Sequence, residues 1–523
     1  MTLLRVRDIA LSPDEPEGAL VERVAQRLGF SPQDIASLHV VRRSIDARRG
    51  RVRLVYAVDI DLDPGLAERA VQRGASRVPV EPVFEPSPGT EPIRGRVVIV
   101  GCGPAGLFAA LVLARLGYRP VIVERGAPVG ERHDDVARFI ERRALDPDSN
   151  LLFGAGGAGL YSDGKLRTRI GDARTRVVLE SLVCAGAPPD ILVDARPHIG
   201  TDLLGKVVLS LCERLMALGC EFRWHTRVTG LGTRDGILCG LHTSQGWIET
   251  NAVVMAAGAH SRDTFEMLLG AGVALAPKPF QMGLRIEHSR EMIDRAIYGR
   301  FAGLSRLGAA EYVLSAEGVA SFCVCPGGSL VAASAEPETV CTNGMSSSGR
   351  DGAWTNAALV TTVVPDASRE GPLSGMFLQR RCEKTAFHLG GGSYVAPAQN
   401  ASDFIAGVCR PLAHETTYPF GVRPRELREI IPSDVADKIA RALKRFEERI
   451  PGYVTGAAVL VGPESRASCP VRIERHPESR TSLTVDGLYP CGEGSGYSSG
   501  IMSSAVDGMR TAEAIVARFA VPR

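Results

Sequence analysis

The sequence predicts an α/β protein with three parts. These are a discontinuous Rossmann-type dinucleotide-binding domain at 95–265 and 462–520, an inserted α+β cap or substrate domain at 266–461, and a small α+β domain at 1–92. Three observations carry the prediction. A short apolar run, Arg96-Val-Val-Ile-Val100, feeds directly into Gly101-Cys-Gly-Pro-Ala-Gly106 and a helix-forming stretch, which is the order of a βαβ nucleotide unit. Two further short apolar runs, Asn251–Gly258 and Gly487–Gly494, return much later in the chain. Between them, from about 265 to 460, the strand–helix alternation is missing.

Each element has its own warrant. Leu3–Ile9 reads as a strand, and Leu20, Val21, Val24 and Leu28 place helical spacing on Gly18–Leu28. Ser31 caps a turn over Pro32–Ile35. His39–Ile45 and Arg51–Leu62 read as paired strands, and the proline-rich stretch 79–92 as a linker. Beyond it, the 96–100 run is fully apolar, as strands inside parallel sheets are. Leu107–Leu116 follows as a helix ended by Gly117, and Tyr118–Glu124 as a second strand. In the insertion, Ser433–Glu448 reads as the one long helix, and no internal repeat is visible.

Composition sets the limits. The 523 residues are 45% apolar and 23% charged, with a net charge of +2. That balance offers no bulk field for nucleic acid or an anionic membrane. No apolar run reaches the ~20 residues that span a bilayer, and the N-terminus Met1–Asp8 is charged where a secretory signal would be apolar. The expectation is a cytoplasmic protein acting on a small molecule. The 12 cysteines are scattered without zinc spacing, so no metal is expected and most should be buried thiols.

The glycine motif has a physical reading. Gly101 permits the turn after the strand, Gly103 lets backbone approach a pyrophosphate, and Gly106 seats the helix against the strand. With Pro104 and Ala105 they open a helix whose N-terminal N–H groups face the anion. Glu124 lies 23 positions after Gly101, where a carboxylate accepts from ribose hydroxyls and repels a 2′-phosphate. Arg125 follows at the same edge. A second match to the motif, Gly154-Ala-Gly-Gly-Ala-Gly159, has a short lead-in and starts no helix. It reads instead as a loop lying against a flat ring, through Gly156 and Gly157.

The two late segments favour FAD, since flavoproteins of the glutathione-reductase type carry both patterns. That resemblance implies that Ala257 and Gly258 line the cofactor, that Glu493 beside Gly492 binds the ribityl chain, and that the Val228 backbone meets the adenine on a strand Arg223–Gly230. Gly500, Ile501 and Met502 start a helix whose N-terminus can face the reduced flavin's negative charge.

Taken together, the sequence resembles the "FAD-dependent dehydrogenase" family, distant relatives of the fumarate-reductase and geranylgeranyl-reductase flavoproteins. The resemblance runs over nearly the whole chain. It includes Arg42–Arg48, Gly154–Lys165, Gly283–His288, Ser321–Gly328, Asn343–Ser346, Ser468–Ile473 and Tyr489–Ile501. Two stretches depart from it: Gly496-Tyr-Ser-Ser-Gly-Ile501 stands where Gly-Tyr-Ala-Gly-Gly-Ile is expected, and Gly258-Ala-His-Ser-Arg-Asp263 where Gly-His-Ser-Ala-Arg-Asp is expected.

Several groups are candidates for chemistry. Lys165 and Asp163 can reach the flavin ring from the glycine loop, or form a loop salt bridge. Arg285 and Glu287 share a strand face and can bind a carboxylate substrate and move a proton, or form an ion pair at the cap. His260 and His288 are placed as general bases. Cys323-Val-Cys325 reads either as a redox dithiol or as two packed thiols. Trp354 and Tyr497 are ring-stacking or core residues. The leading expectation is a dehydrogenase or reductase passing a hydride between flavin N5 and a small organic molecule, with NAD(P)H as a transient donor. Two alternatives stand beside it. One is a flavin monooxygenase, although Ala257–Arg262 lacks the aspartate of the Asp-Gly motif. The other is a non-catalytic redox-sensing or RNA-associated module, suggested by Arg42, Arg43, Arg48, Arg49, Arg51 and Arg53.

Overall fold

The computed structural model describes residues 2–78, 86–168 and 170–522. Part of the expected linker, 79–85, lies outside the described residues.

A five-stranded parallel sheet organises the nucleotide half, in the order Leu488–Pro490, Val253–Met255, Val98–Val100, Val121–Val123, Glu221–Arg223. Its first four strands are buried at every residue. This is why each reads as a short apolar run without alternation. The helices Pro104–Arg115 and Gly500–Arg518 pack tightly together. A Cβ on Gly508 would lie 2.1 Å from the Ala105 carbonyl oxygen, so only glycine allows this approach.

The strand expected over Arg223–Gly230 is two strands. Glu221–Arg223 closes the parallel sheet, and Val228–Arg234 begins a three-stranded antiparallel sheet with Ile237–Thr243 and Gly246–Glu249. The break falls at His225, whose φ is +51°.

The insertion is built on a seven-stranded sheet ordered Ser315–Ala316, Val319–Cys325, Trp354–Val363, Phe280–Ser289, Val459–Glu464, Ala396–Asn400, Val422–Pro424. The strand Val459–Glu464 crosses the expected boundary at 461/462. Two 17-residue helices cover this part, Ser374–Gly390 and Ser433–Arg449. The first was not foreseen, because its buried face includes Gln379 and Glu383 and so breaks the apolar stripe that marks a helix.

The N-terminal part is a four-stranded antiparallel sheet carrying the helices Leu20–Leu28 and Pro64–Gln72. Ser31 and Asp34 form a capping box. One continuous apolar cluster joins this sheet to the seven-stranded one. Arg43 bridges to the nucleotide half: its N–H donates to Val193 O (2.7 Å) and its side chain to Asp194 (2.8 Å). Arg48 is paired with Asp46. Two arginines of the basic run therefore already have carboxylate partners.

Candidate flavin site

The carboxyl ends of four parallel strands open into a cavity of ≈ 390 Å³, the place where ligands bind in open α/β sheets. Its opposite wall comes from the insertion, with Phe322, Cys323, Asn343, Glu464 and Arg466.

The phosphate end is shaped by close approach. Gly101 has φ +104°. A Cβ on Gly106 would sit 2.0 Å from the Gly101 carbonyl oxygen, so helix and turn touch there. A Cβ on Gly103 would have Gly157 Cα as its nearest neighbour, at 3.8 Å, so this face of the turn is open. Gly103 is the N-cap of Pro104–Arg115, and the first-turn N–H groups at Ala105 and Gly106 have no intrahelical partner. Glu124 is 6% exposed. It accepts from the N–H groups of Cys102 (2.8 Å), Gly126 (3.0 Å) and Gly154 (3.0 Å). Besides facing the cavity, it therefore ties the phosphate turn to the glycine loop, a role not foreseen in the sequence. At this end Arg125 lies over the Phe153 ring (4.6 Å) and pairs with Asp263 (2.9 Å). Val228 lines the wall beside it.

The other end carries the fit to a flavin. Gly492, Glu493, Gly500, Ile501 and Met502 line it. One Glu493 oxygen accepts from Gly500 N–H at 3.3 Å. Burial pushes the Glu493 carboxyl above its ordinary value, against the pull of the Gly500 N–H and Lys278. Glu493 is half-buried and faces the cavity, and a carboxylate there so lightly bonded has room for hydroxyl donors, which a ribityl chain supplies. The helix Gly500–Arg518 begins at the cavity, presenting free N–H groups and the positive end of its dipole. Ala257 and Gly258 face the cavity; Gly157 faces it too, but beside Gly103 at the phosphate turn, and Gly156 is off the wall, against Val208. The residues fit FAD.

The candidate chemical groups separate in space. Lys165 Nζ lies on the wall, 2.7 Å from Asp163. Asp163 is 1% exposed and is also bound by Arg350 (2.6 Å). Burial alone would raise the Asp163 carboxyl, but the Lys165 and Arg350 cations hold it well below the usual range. Burial would lower Lys165, but the Cys325 and Cys323 sulfurs and Asp163 keep it raised. His260 faces the cavity. Burial, then the Arg466 and Arg262 cations, push it down to about 3.

Arg285 and Glu287 are fully buried and not on the cavity wall. Arg285 makes a two-pronged bond to Glu464 (2.8 and 3.0 Å) and donates to Asn356 (2.7 Å). Glu287 accepts from the Thr417 N–H at 3.1 Å. His288 donates to Tyr453 O (2.8 Å) and is also away from the cavity. Trp354 stacks on His414 (4.3 Å), and Tyr497 lies under Arg475 (4.0 Å). Glu464, Arg466, Arg350 and Asn343 were missed as site residues. Arg466 and Arg262 clasp the fully buried Glu383 at 2.7–2.9 Å.

A dinucleotide cradle at the carboxyl ends of a parallel sheet, closed by a mainly antiparallel sheet and fitted to a ribityl chain, defines an FAD-binding oxidoreductase. Comparison with known proteins agrees. Residues 94–144 match the family described as an FAD binding domain, and 279–467 one described as FAD-dependent protein, C-terminal domain-like. Residues 4–61 match a domain of unknown function. A Clostridium beijerinckii sequence described as an uncharacterized protein is 40% identical over 532 residues, covering 99% of this chain and 100% of its own. The chain belongs to the same family, and that family is one of FAD-dependent oxidoreductases. Among solved structures, the L-amino acid deaminase from Proteus vulgaris is 14% identical, covering 84% of this chain and 97% of its own, with a TM-score of 0.34. The glycine oxidase from Bacillus cereus is 13% identical, covering 81% and 97%, with a TM-score of 0.32. Likenesses this remote say nothing about this chain's substrate.

Proposed function

We propose that the protein moves a hydride between flavin N5 and a small organic molecule held between the flavin and the wall of Phe322, Cys323 and Asn343. One observation carries the reading: a single cavity has a dinucleotide cradle on one side and a polar, partly charged wall from the insertion on the other. Bound there, FAD would supply the two-electron chemistry. The chain's own groups do the rest. Glu493 holds the ribityl hydroxyls. Lys165 stays cationic through Asp163 and, with the Gly500–Arg518 N-terminus, favours the anionic reduced ring. Leu152, Ala257 and Ile501 keep water from the ring. His260 stays a neutral imidazole across the physiological range, offering the substrate a hydrogen-bond partner that adds no charge.

NADH or NADPH fits as a transient reductant visiting the same cavity. Among the described residues there is one all-parallel sheet, so a second nucleotide domain of that kind is not at hand. A reducing compartment such as the cytoplasm suits the free cysteines. No helix among the described residues is long and apolar enough to cross a membrane. The test is anaerobic addition of NADH or NADPH to the purified flavoprotein. Rapid bleaching of the oxidised-flavin band supports the nicotinamide-driven reading. If both nicotinamides leave the band unchanged, that reading is rejected and the organic substrate becomes the electron donor.

A further inference from the structure

At the flavin cavity the seven-stranded sheet brings two sulfurs together, one on the wall and one behind it, in a geometry that an ordinary strand does not provide. Residues i and i+2 of a regular strand lie on one face with parallel Cβ vectors, so their Cβ atoms are about 6.6 Å apart, beyond the roughly 3.5–4.5 Å between the Cβ atoms of a disulfide. Here the pairing of Val319–Cys325 with Trp354–Val363 shifts register between Phe322 and Cys325. Cys323 takes the left-handed φ of +44°, a conformation a non-glycine residue holds only when its surroundings impose it. The result is a Cys323 Sγ–Cys325 Sγ separation of 4.0 Å.

The surroundings divide the labour between the sulfurs. Cys323 lines the cavity and is half-buried, whereas Cys325 is fully buried behind it. The Cys325 thiol can donate to the Cys323 carbonyl at 3.3 Å. Lys165 Nζ stands 3.8 Å from Cys325 Sγ, and the Arg285 guanidinium donates to Cys323 O at 3.2 Å. The charged groups facing the pair are thus two cations, Lys165 and Arg285, each tied to a carboxylate, Asp163 and Glu464. An electropositive, partly accessible setting of this kind favours a thiolate. Consistent with it, the neighbouring Cys325 thiol and then the Lys165 and Arg285 cations hold Cys323 well below the usual thiol range, against burial.

We propose that Cys323 and Cys325 are a redox-active dithiol that exchanges two electrons with the flavin bound in this cavity. Cys323 is the flavin-facing sulfur and Cys325 the partner that closes the bond. In the oxidising direction both thiols lose their protons, one S–S bond forms, and two electrons and two protons pass to oxidised flavin, which becomes reduced flavin. The reverse step opens the disulfide with the same two electrons. Closing the bond requires the sulfurs to move from 4.0 Å to about 2 Å. The inference rests on flavin occupying the cavity and not on the class of organic substrate.

Two measurements on the holoenzyme test it. In an anaerobic reductive titration with dithionite, started from fully oxidised protein, the wild type should take up twice the electrons per flavin that Cys325→Ser or Cys323→Ser takes up. In a background with the exposed cysteines replaced (Cys184→Ser, Cys409→Ser), treatment with glutathione disulfide followed by alkylation should leave the Cys323–Cys325 peptide unalkylated and lighter by two hydrogens. Equal electron uptake in the wild type and the variants, or both sulfurs alkylated after oxidant, overturns the proposal. Should Cys323→Ser fail to retain flavin, Cys325→Ala and the peptide mass decide alone. Failure here, with flavin still bound and reducible, would leave the oxidoreductase reading standing.

Discussion

Replacing Gly103 by alanine should separate cofactor binding from folding. Gly103 sits at φ −83°, which any L-residue adopts, and its new Cβ would approach nothing nearer than Gly157 Cα at 3.8 Å. The apo-protein therefore has room for the methyl group. A pyrophosphate does not, because the methyl stands where phosphate must approach the first-turn N–H groups. Losing one hydrogen bond to a charged group costs about 1.5–3 kcal/mol, or roughly a 10- to 150-fold weaker Kd for FAD. Gly106→Ala is the opposite case. Its Cβ would lie 2.0 Å from the Gly101 carbonyl oxygen, and overpacking of this kind destabilises a fold by about 1–3 kcal/mol. The assays are a fluorescence titration of apo-protein with FAD and a urea midpoint for the apo form. If Gly103→Ala binds FAD as the wild type does, or its apo form unfolds as early as Gly106→Ala, the account of the phosphate turn is refuted.

Other substitutions give distinct signatures. Burial raises the folded-state pKa of Glu493 above 4.5, so apo-protein stability held at low pH is lost as pH rises through the raised value. Glu493→Gln should abolish that loss, so that at neutral pH the apo form unfolds at a higher temperature than the wild type, while FAD binds more weakly; calorimetry with and without FAD reads both. Glu383→Gln removes the carboxylate that Arg262 and Arg466 share, leaving Glu336 (3.2 Å from Arg262) as the remaining counter-charge, and should cost about 3 kcal/mol in the urea midpoint at neutral pH. Although burial acts to raise it, those two cations depress the Glu383 carboxyl, so the wild type's advantage should fade as pH drops below 4.5. Lys165→Met should lower the flavin midpoint potential by about 30 mV, the two-electron equivalent of ~1.4 kcal/mol, in a dye-coupled redox titration; an unchanged potential would remove Lys165 from the ring's surroundings. With His260 titrating near 3, the pH–rate profile should show no limb between 5 and 8 that disappears in His260→Gln.

The parts legible in the sequence are those whose physics is local. A strand, a glycine turn and a helix start within Arg96–Arg115 must sit next to one another in the chain, so the phosphate cradle could be read directly. The role expected of Glu493 came instead from the resemblance to flavoproteins of the glutathione-reductase type. The cap wall was not, because its groups meet only after folding. Arg285 and Glu464 lie 179 positions apart, Arg262 and Glu383 121, and Glu383 and Arg466 83. No spacing rule links them. The helix Ser374–Gly390 was hidden by the same network, since the polar side chains it buries disguise its inner face. The proximity of Cys323 and Cys325 depends on a bulge whose register is set by the partner strand Trp354–Val363, and a lone Cys-Val-Cys carries no sign of it.

The most direct test of the central claim is the cofactor itself. The protein should be purified folded, its visible spectrum recorded, and the cofactor released by denaturation and identified by mass. The account predicts an oxidised-flavin band and FAD released in a one-to-one ratio with the chain, with Gly103→Ala depleted of both. A folded protein that shows no such band and does not take up added FAD would contradict it.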